Sequence, residues 1–167
     1  MTDIAHALVP LVVTLPLLGA GLTLVSVRKP RLQITISVAV LAIIIVIAGI
    51  LLATVDDGAP IAVAVADWPI LSGIVLYVDR LAALLLLISA IVLIAVLLFS
   101  IGQGAADGDE ETPVSIFYPS YLILSAGIFN AFIAGDLFNL YVGFEILLVA
   151  SYVLITLGST ESRIRTG

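Results

Sequence analysis

Long stretches without charge are the feature that most restricts how this chain can fold. Four runs contain no Asp, Glu, Lys or Arg, and a fifth contains a single Glu. They cover residues 4–27, 32–55, 81–106, 112–135 and 137–160. About 20 apolar residues in an α-helix cross the ~30 Å hydrocarbon core of a bilayer. With 62% hydrophobic and 11% charged residues, the sequence predicts an all-α integral membrane chain.

The charged and turn-forming residues between these runs separate the predicted helices and strands. We predict five transmembrane helices, at about 5–27, 32–54, 79–101, 116–134 and 137–158. Between the second and third helices, short strand-forming runs flank the turn signal Asp67-Trp68-Pro69. Such a pattern predicts a small β-hairpin, which we place at the extracytoplasmic membrane surface.

The basic residues predict an orientation. Arg28, Lys29 and Arg31 lie between the first two helices, and Arg163 and Arg165 follow the fifth. Lys and Arg in short loops favour the cytoplasmic side. With five spans both groups share one side, so we expect the N-terminus, the hairpin and the turn between the last two helices to face outward.

Composition excludes several classes of function. The sequence has no Cys and one His, His6, so thiol catalysis and a multi-histidine metal site within the chain are excluded. The net charge of −6 argues against a nucleic-acid partner. The sequence contains no phosphate-binding Gly loop or nucleophile–base constellation. We therefore expect no cofactor, no metal and no enzymatic activity.

Glu145 is the main candidate for a functional residue. It lies eight positions into the fifth helix, about 12 Å below its outer end. Carboxylates at such depth are costly and usually mark ion or proton paths. Apolar surroundings favour the protonated acid and a nearby cation favours the carboxylate, so the group can change state when its partner moves. The alternative is a protonated Glu that helps helices pack.

Four further residues are supporting candidates. Tyr141 and Tyr152, at i−4 and i+7 from Glu145, could bond its carboxyl group or a water, or could be ordinary packing residues. Asp136 directly precedes the fifth helix and Asp79 stands at the start of the third. Each is interpreted either as a helix N-cap or as a carboxylate at which ions enter, with Arg80 as a possible neighbour of Asp79.

Three stretches resemble one known family. "AGDLFNLYVGFEILLVASYVLITLG" (134–158), "LYVDRLAALLLL" (76–87) and the "DWP…GI" hairpin (67–74) are similar to the proton-translocating antiporter-like membrane subunits. That family includes the large subunits of Mrp-type multisubunit sodium/proton antiporters and of respiratory complex I. The wording of 134–158 is most similar to the D-type subunits of the Mrp antiporters.

The resemblance implies a role for Glu145 and a missing partner. In the family a Glu on the fifth helix pairs with a Lys on the seventh, and proton movement is coupled to breaking and remaking that pair. Residues 1–167 would then form the N-terminal part of a larger membrane domain, and the counter-charge would lie outside them.

The expected function is that of a subunit of a multisubunit monovalent cation/proton antiporter in the bacterial plasma membrane. Its partners would be other membrane subunits, the lipid bilayer, protons and sodium. One alternative is an antiporter-like subunit of complex I or of a membrane-bound hydrogenase, coupled to a redox reaction. A third is an assembly subunit without transport.

Overall fold

The computed structural model describes residues 2–26, 28–56, 58–65, 73–102 and 116–157. These contain five helices and two strands: α1 (Thr2–Val25), α2 (Pro30–Asp56), β1 (Ile61–Ala64), β2 (Val75–Val78), α3 (Arg80–Gly102), α4 (Phe117–Ile133) and α5 (Leu137–Leu157). The predicted all-helical membrane architecture with one small hairpin is confirmed. Helices α1, α2, α3 and α5 are long and apolar enough to cross a membrane, whereas α4 is a shorter apolar helix.

Helices α1 and α2 form an antiparallel pair joined by a short basic turn. The turn closes through the Ser26 amide, which donates to the Leu22 carbonyl at 3.1 Å. Pro30 begins α2, where the missing N–H of proline costs nothing. The buried Gln33 then donates from Nε2 to the Thr23 carbonyl at 2.8 Å, and this bond ties the ends of the two helices together.

Helix α4 occupies the centre of the bundle. It packs against α1, α3 and α5, and it is buried on several sides, for instance at Tyr118, Leu122 and Phe129. The Tyr121 hydroxyl donates to the Leu93 carbonyl of α3 at 2.7 Å. The apolar core therefore lies among α1, α2, α3 and α4, and α5 is added to one side of α4.

The predicted hairpin is present between α2 and α3. Strands β1 and β2 pair antiparallel from Ile61 opposite Val78 to Ala64 opposite Val75. Its turn signal at 67–69 lies outside the described residues. On its other edge β2 meets the turn between α4 and α5, through a bridge from Leu76 to Ala134. The hairpin thus touches the point at which the Glu145 helix begins.

Candidate functional site

Glu145 lies in the middle of α5 and points away from the rest of the described chain. The buried residues of α5 are Asn139, Gly143 and Ala150, and they form the face that packs on α4. Successive residues of an α-helix are about 100° apart, so Glu145 is about 200° from Gly143. Its side chain is accordingly exposed. The face of α5 around Glu145 is uncovered, because the described helices all lie on the other side of α5.

The open face of α5 is centred on Glu145. Its neighbours on that face are large and exposed: Phe138 (68%), Tyr141 (60%), Leu148 (59%), Val149 (63%) and Tyr152 (71%). A single carboxylate therefore stands in a mainly apolar strip with two phenols. Among the described residues, the ion pair is the one between Arg80 and Asp56, and Glu145 has no basic partner.

Tyr141 is the predicted supporting residue that the structure brings to Glu145. The two side chains are joined by a hydrogen bond, which the phenol donates because an ionised carboxylate can only accept. They are one helical turn apart, the spacing at which helical side chains meet. Tyr152 lies on the same face two turns beyond Glu145, about 10 Å along the helix axis.

Close contact between α4 and α5 fixes which side of α5 faces outward. A Cβ at Gly127 would lie 2.8 Å from the Leu147 amide nitrogen, and one at Gly143 would lie 3.1 Å from the Ala131 nitrogen. The two backbones therefore touch without intervening side chains. Small residues allow this kind of close helix crossing in membranes.

A pair of buried asparagines adds polar contacts to that crossing. Asn130 Nδ2 donates to the side-chain oxygen of Asn139 at 3.0 Å and to its carbonyl at 3.1 Å. The Asn139 Nδ2 group is buried without an acceptor among the described residues. Sequence reasoning missed this pairing of two asparagines. The nearby Gly127 and Gly143 are the sequence signal that could have indicated a close contact between these two helices.

Asp136 caps α5 and bonds a strand as well. Its Oδ1 accepts from the Asn139 amide at 2.7 Å, and its Oδ2 accepts from the Val75 amide at 2.9 Å. The N–H groups of Val75, Asn139 and Phe138 stabilise the charged form and hold the pKa of Asp136 below its ordinary value, although partial burial opposes them. The N-cap geometry is present, and the bond to Val75 is an addition that sequence reasoning missed.

Asp79 caps α3 and does not pair with Arg80. The Ala82 amide donates to Asp79 Oδ1 at 2.7 Å. The Arg80 side chain turns instead to the end of α2, where its Nε lies 2.8 Å from Asp56 Oδ1. The described residues contain no group of three or more His, Asp or Glu side chains that could hold a metal ion.

Comparison with known proteins gives a consistent set of relatives. No protein-family model matches the chain. The D-type subunit of the Na⁺/H⁺ antiporter of Bacillus subtilis is 40% identical over 153 residues, which are 92% of this chain and 30% of that protein. The chain therefore spans less than a third of the length of this curated relative.

Two solved structures share the fold. The Mrp complex from Dietzia sp. DQ12-45-1b matches with a TM-score of 0.79 and 31% identity, over 90% of this chain and 27% of that chain. The membrane-bound sulfane sulfur reductase, an archaeal respiratory membrane complex, matches with a TM-score of 0.76 and 26% identity, over 87% and 29%. With its long apolar helices, the chain is an integral membrane protein. These similarities show that it belongs to the family of D-type Na⁺/H⁺ antiporter subunits.

Proposed function

We propose that this chain is part of a multisubunit monovalent cation/proton antiporter of the bacterial plasma membrane, and that Glu145 takes up and releases the translocated proton. The similarity to a D-type antiporter subunit over 92% of the chain supports the first statement. The position of Glu145 on an open helix face supports the second. The N-terminus and hairpin face outward, and the loop with Arg28, Lys29 and Arg31 faces the cytoplasm.

The open face of α5 is the observation that carries the assignment. On insertion scales, placing a charged side chain at the centre of a membrane-spanning helix costs about +2.5 kcal/mol or more of free energy. Glu145 avoids that cost when another transmembrane element covers the face and supplies a cationic or hydrogen-bonding group. The partner consistent with an acidic residue and two phenols is a helix that carries a Lys or an Arg opposite Glu145.

Movement of that cation would drive proton exchange. With the cation close, Glu145 is ionised, because the attraction between the two charges is strong where the effective dielectric constant is low. When the cation withdraws, the carboxylate in its apolar strip takes up a proton. The Tyr141 hydroxyl donates a hydrogen bond to that carboxylate. The half-buried carboxylates at the outer helix ends, Asp136 and Asp79, would attract cations to this side of the protein.

The test is removal of the titratable group in the assembled complex. Glu145→Gln keeps the size and polarity of the side chain but cannot ionise, so cation-driven proton exchange in reconstituted vesicles should be lost while the complex still assembles. Glu145→Asp is the matched control, since it keeps an ionisable group and should retain part of the exchange. Normal exchange by the Gln variant would refute the proposal.

A redox-coupled role is the second candidate. The match to an archaeal respiratory membrane complex favours it, and Glu145 would serve the same purpose in proton translocation. Purified complex that pumps protons only when supplied with an electron donor would establish this role. Proton uptake driven by a cation gradient alone would establish antiport.

An assembly subunit without transport is the third possibility. Glu145 would then be a protonated contact between helices. Glu145→Ala would in that case lower the yield of assembled complex, and each complex that did form would exchange ions at the normal rate. The Gln and Ala variants together therefore separate transport from assembly.

A further inference from the structure

Asp136 connects two elements that are far apart in the sequence. Its Oδ1 accepts from Asn139, inside the first turn of α5, and its Oδ2 accepts from Val75, the first residue of β2. A helix N-cap needs one side-chain acceptor. The second oxygen is therefore free to fasten the capped helix end to a strand that is 61 positions earlier in the chain.

Backbone contacts support the same junction. The Gly135 amide donates to the Val75 carbonyl at 2.8 Å, and Ala134 forms a bridge with Leu76. A Cβ at Gly135 would lie 3.0 Å from both the carbonyl oxygen and Cγ1 of Val75. The α4–α5 turn thus lies directly along the outer edge of β2, and a side chain at position 135 would be tightly crowded by that strand.

Helix α5 has few other restraints among the described elements. It packs mainly on α4, through the small-residue face around Gly143. Its opposite face, with Glu145 at the centre, is open. A helix held along one side by small residues can slide or rotate by a small amount, and the junction at its first turn opposes both movements. Glu145 lies nine residues beyond Asp136, about 13 Å along the axis.

We propose that Asp136 is a positioning residue for Glu145: by fastening the first turn of α5 to strand β2, it lets the hairpin set the depth and rotation of the helix that carries the proton-handling carboxylate. This inference rests on the proposed function of Glu145. It adds a role for the hairpin, which would act as a fixed outer support for the transporting helix.

Two substitutions weaken this junction, and the second removes the strand bond alone. Asp136→Asn supplies one acceptor oxygen where the carboxylate supplies two, so whichever way the amide turns, either Val75 or Asn139 loses its acceptor. Val75→Pro removes the same strand bond from the donor side and leaves Asp136 intact. Proline is tolerated at the first residue of a strand, and the Val75 amide donates to Asp136 and not to β1.

Asp56→Asn is the matched control. Asp56 is also an outer carboxylate, and the change removes the same charge, but its bond is the exposed ion pair with Arg80. Such pairs contribute little to stability. This variant should assemble and exchange ions as the unmodified complex does, with the same pH dependence.

The measurement is the rate and pH profile of cation/proton exchange by the assembled complex in vesicles. A displaced catalytic group can cost up to about a hundredfold in rate, so we expect Asp136→Asn and Val75→Pro each to slow exchange by about tenfold or more. Both should shift the pH of half-maximal exchange in the same direction. In the described chain the ionisable groups on the face of Glu145 are Tyr141 and Tyr152, and α4 lies on the opposite side.

Two results would overturn the proposal. One is a rate and pH profile in both variants equal to those of Asp56→Asn. The other is loss of the assembled complex in both variants, because the bond would then serve folding and not positioning.

A second readout separates this proposal from the proposed function. A hydrophobic carbodiimide reacts with carboxyl groups in apolar surroundings, and mass spectrometry gives its rate of attachment to Glu145 without any transport. If Glu145→Gln still exchanges ions, the proposed function fails, yet the labelling rate still reports the position of Glu145. That rate should change several-fold in Asp136→Asn and Val75→Pro, and an unchanged rate in both refutes the positioning role.

Discussion

At the scale of single residues, the hydrogen bond between Tyr141 and Glu145 is the contact that bears most directly on the proposed proton exchange. Tyr141→Phe removes the donor and leaves the ring, so the ionised carboxylate loses one stabilising bond. Tyr141 is exposed, so this bond stabilises the carboxylate only modestly. We expect exchange to persist but to slow several-fold.

Tyr152→Phe is the control for that measurement. Tyr152 shares the open face but lies two turns from Glu145, and it is 71% exposed. The same loss of a hydroxyl there should change the exchange rate less than Tyr141→Phe does. Equal rates for the two variants in the same vesicle assay would show that the Tyr141 bond has no particular role.

The sequence predicts some of these residue contacts because they are local. An Asp directly before an apolar helix predicts the cap at Asp136, and the i−4 spacing predicts that Tyr141 can reach Glu145. The bond from Asp136 to Val75 joins distant positions, so no local pattern indicates it. The partner of Asn130 was missed for a related reason, since either face of a uniformly apolar helix could have held it.

The crossing of α4 and α5 is the element-scale contact that sets the direction of Glu145. Gly127→Ala would place a Cβ 2.8 Å from the Leu147 amide nitrogen, and backbone atoms cannot turn aside as a flexible side chain can. The two helices must separate, which should cost about 1–3 kcal/mol, as overpacking does elsewhere. Thermal unfolding of the detergent-solubilised protein measures the loss.

Gly49→Ala provides the comparison in α2. A Cβ at Gly49 would meet no atom within 4 Å, and Ala is favoured over Gly within helices by up to about 1 kcal/mol. This variant should unfold at the same temperature as the parent or slightly higher. A Gly127→Ala protein as stable as Gly49→Ala would mean that α4 and α5 do not approach as closely as described.

Helices and hairpin follow from the sequence more readily than their packing does. The absence of charge over about 20 residues indicates each span, and strand-forming runs around a turn signal indicate the hairpin. Which face of α5 packs is not indicated, because apolar residues surround the whole helix. The tight contacts depend on one glycine in each of the two helices, Gly127 of α4 and Gly143 of α5. The exposure of Glu145 therefore emerges only when α4 is placed beside α5.

On the scale of the whole molecule, α1, α2, α3 and α4 share a core, whereas α5 leaves one face exposed. The chain covers 30% of the length of its relative from Bacillus subtilis, and the proposed function requires a further helix over the open face of α5. That face combines a carboxylate, two phenols and large apolar side chains. Lipid alone would solvate it poorly, whereas a helix with one cation would satisfy it.

Single cysteines can test whether that face is covered in the assembled complex. The chain contains no native cysteine, so a cysteine introduced by Val149→Cys on the open face of α5 would report its own environment. Val92→Cys on α3 provides the comparison, because the exposed fraction of Val92 (53%) is similar to that of Val149 (63%). A lipid-soluble maleimide should react with position 149 far more slowly in the intact complex than after denaturation, because a packed helix excludes the reagent. Labelling of Val149→Cys at the same rate before and after denaturation would show that α5 faces lipid, and Glu145 would then lack the partner that charge-pair switching needs.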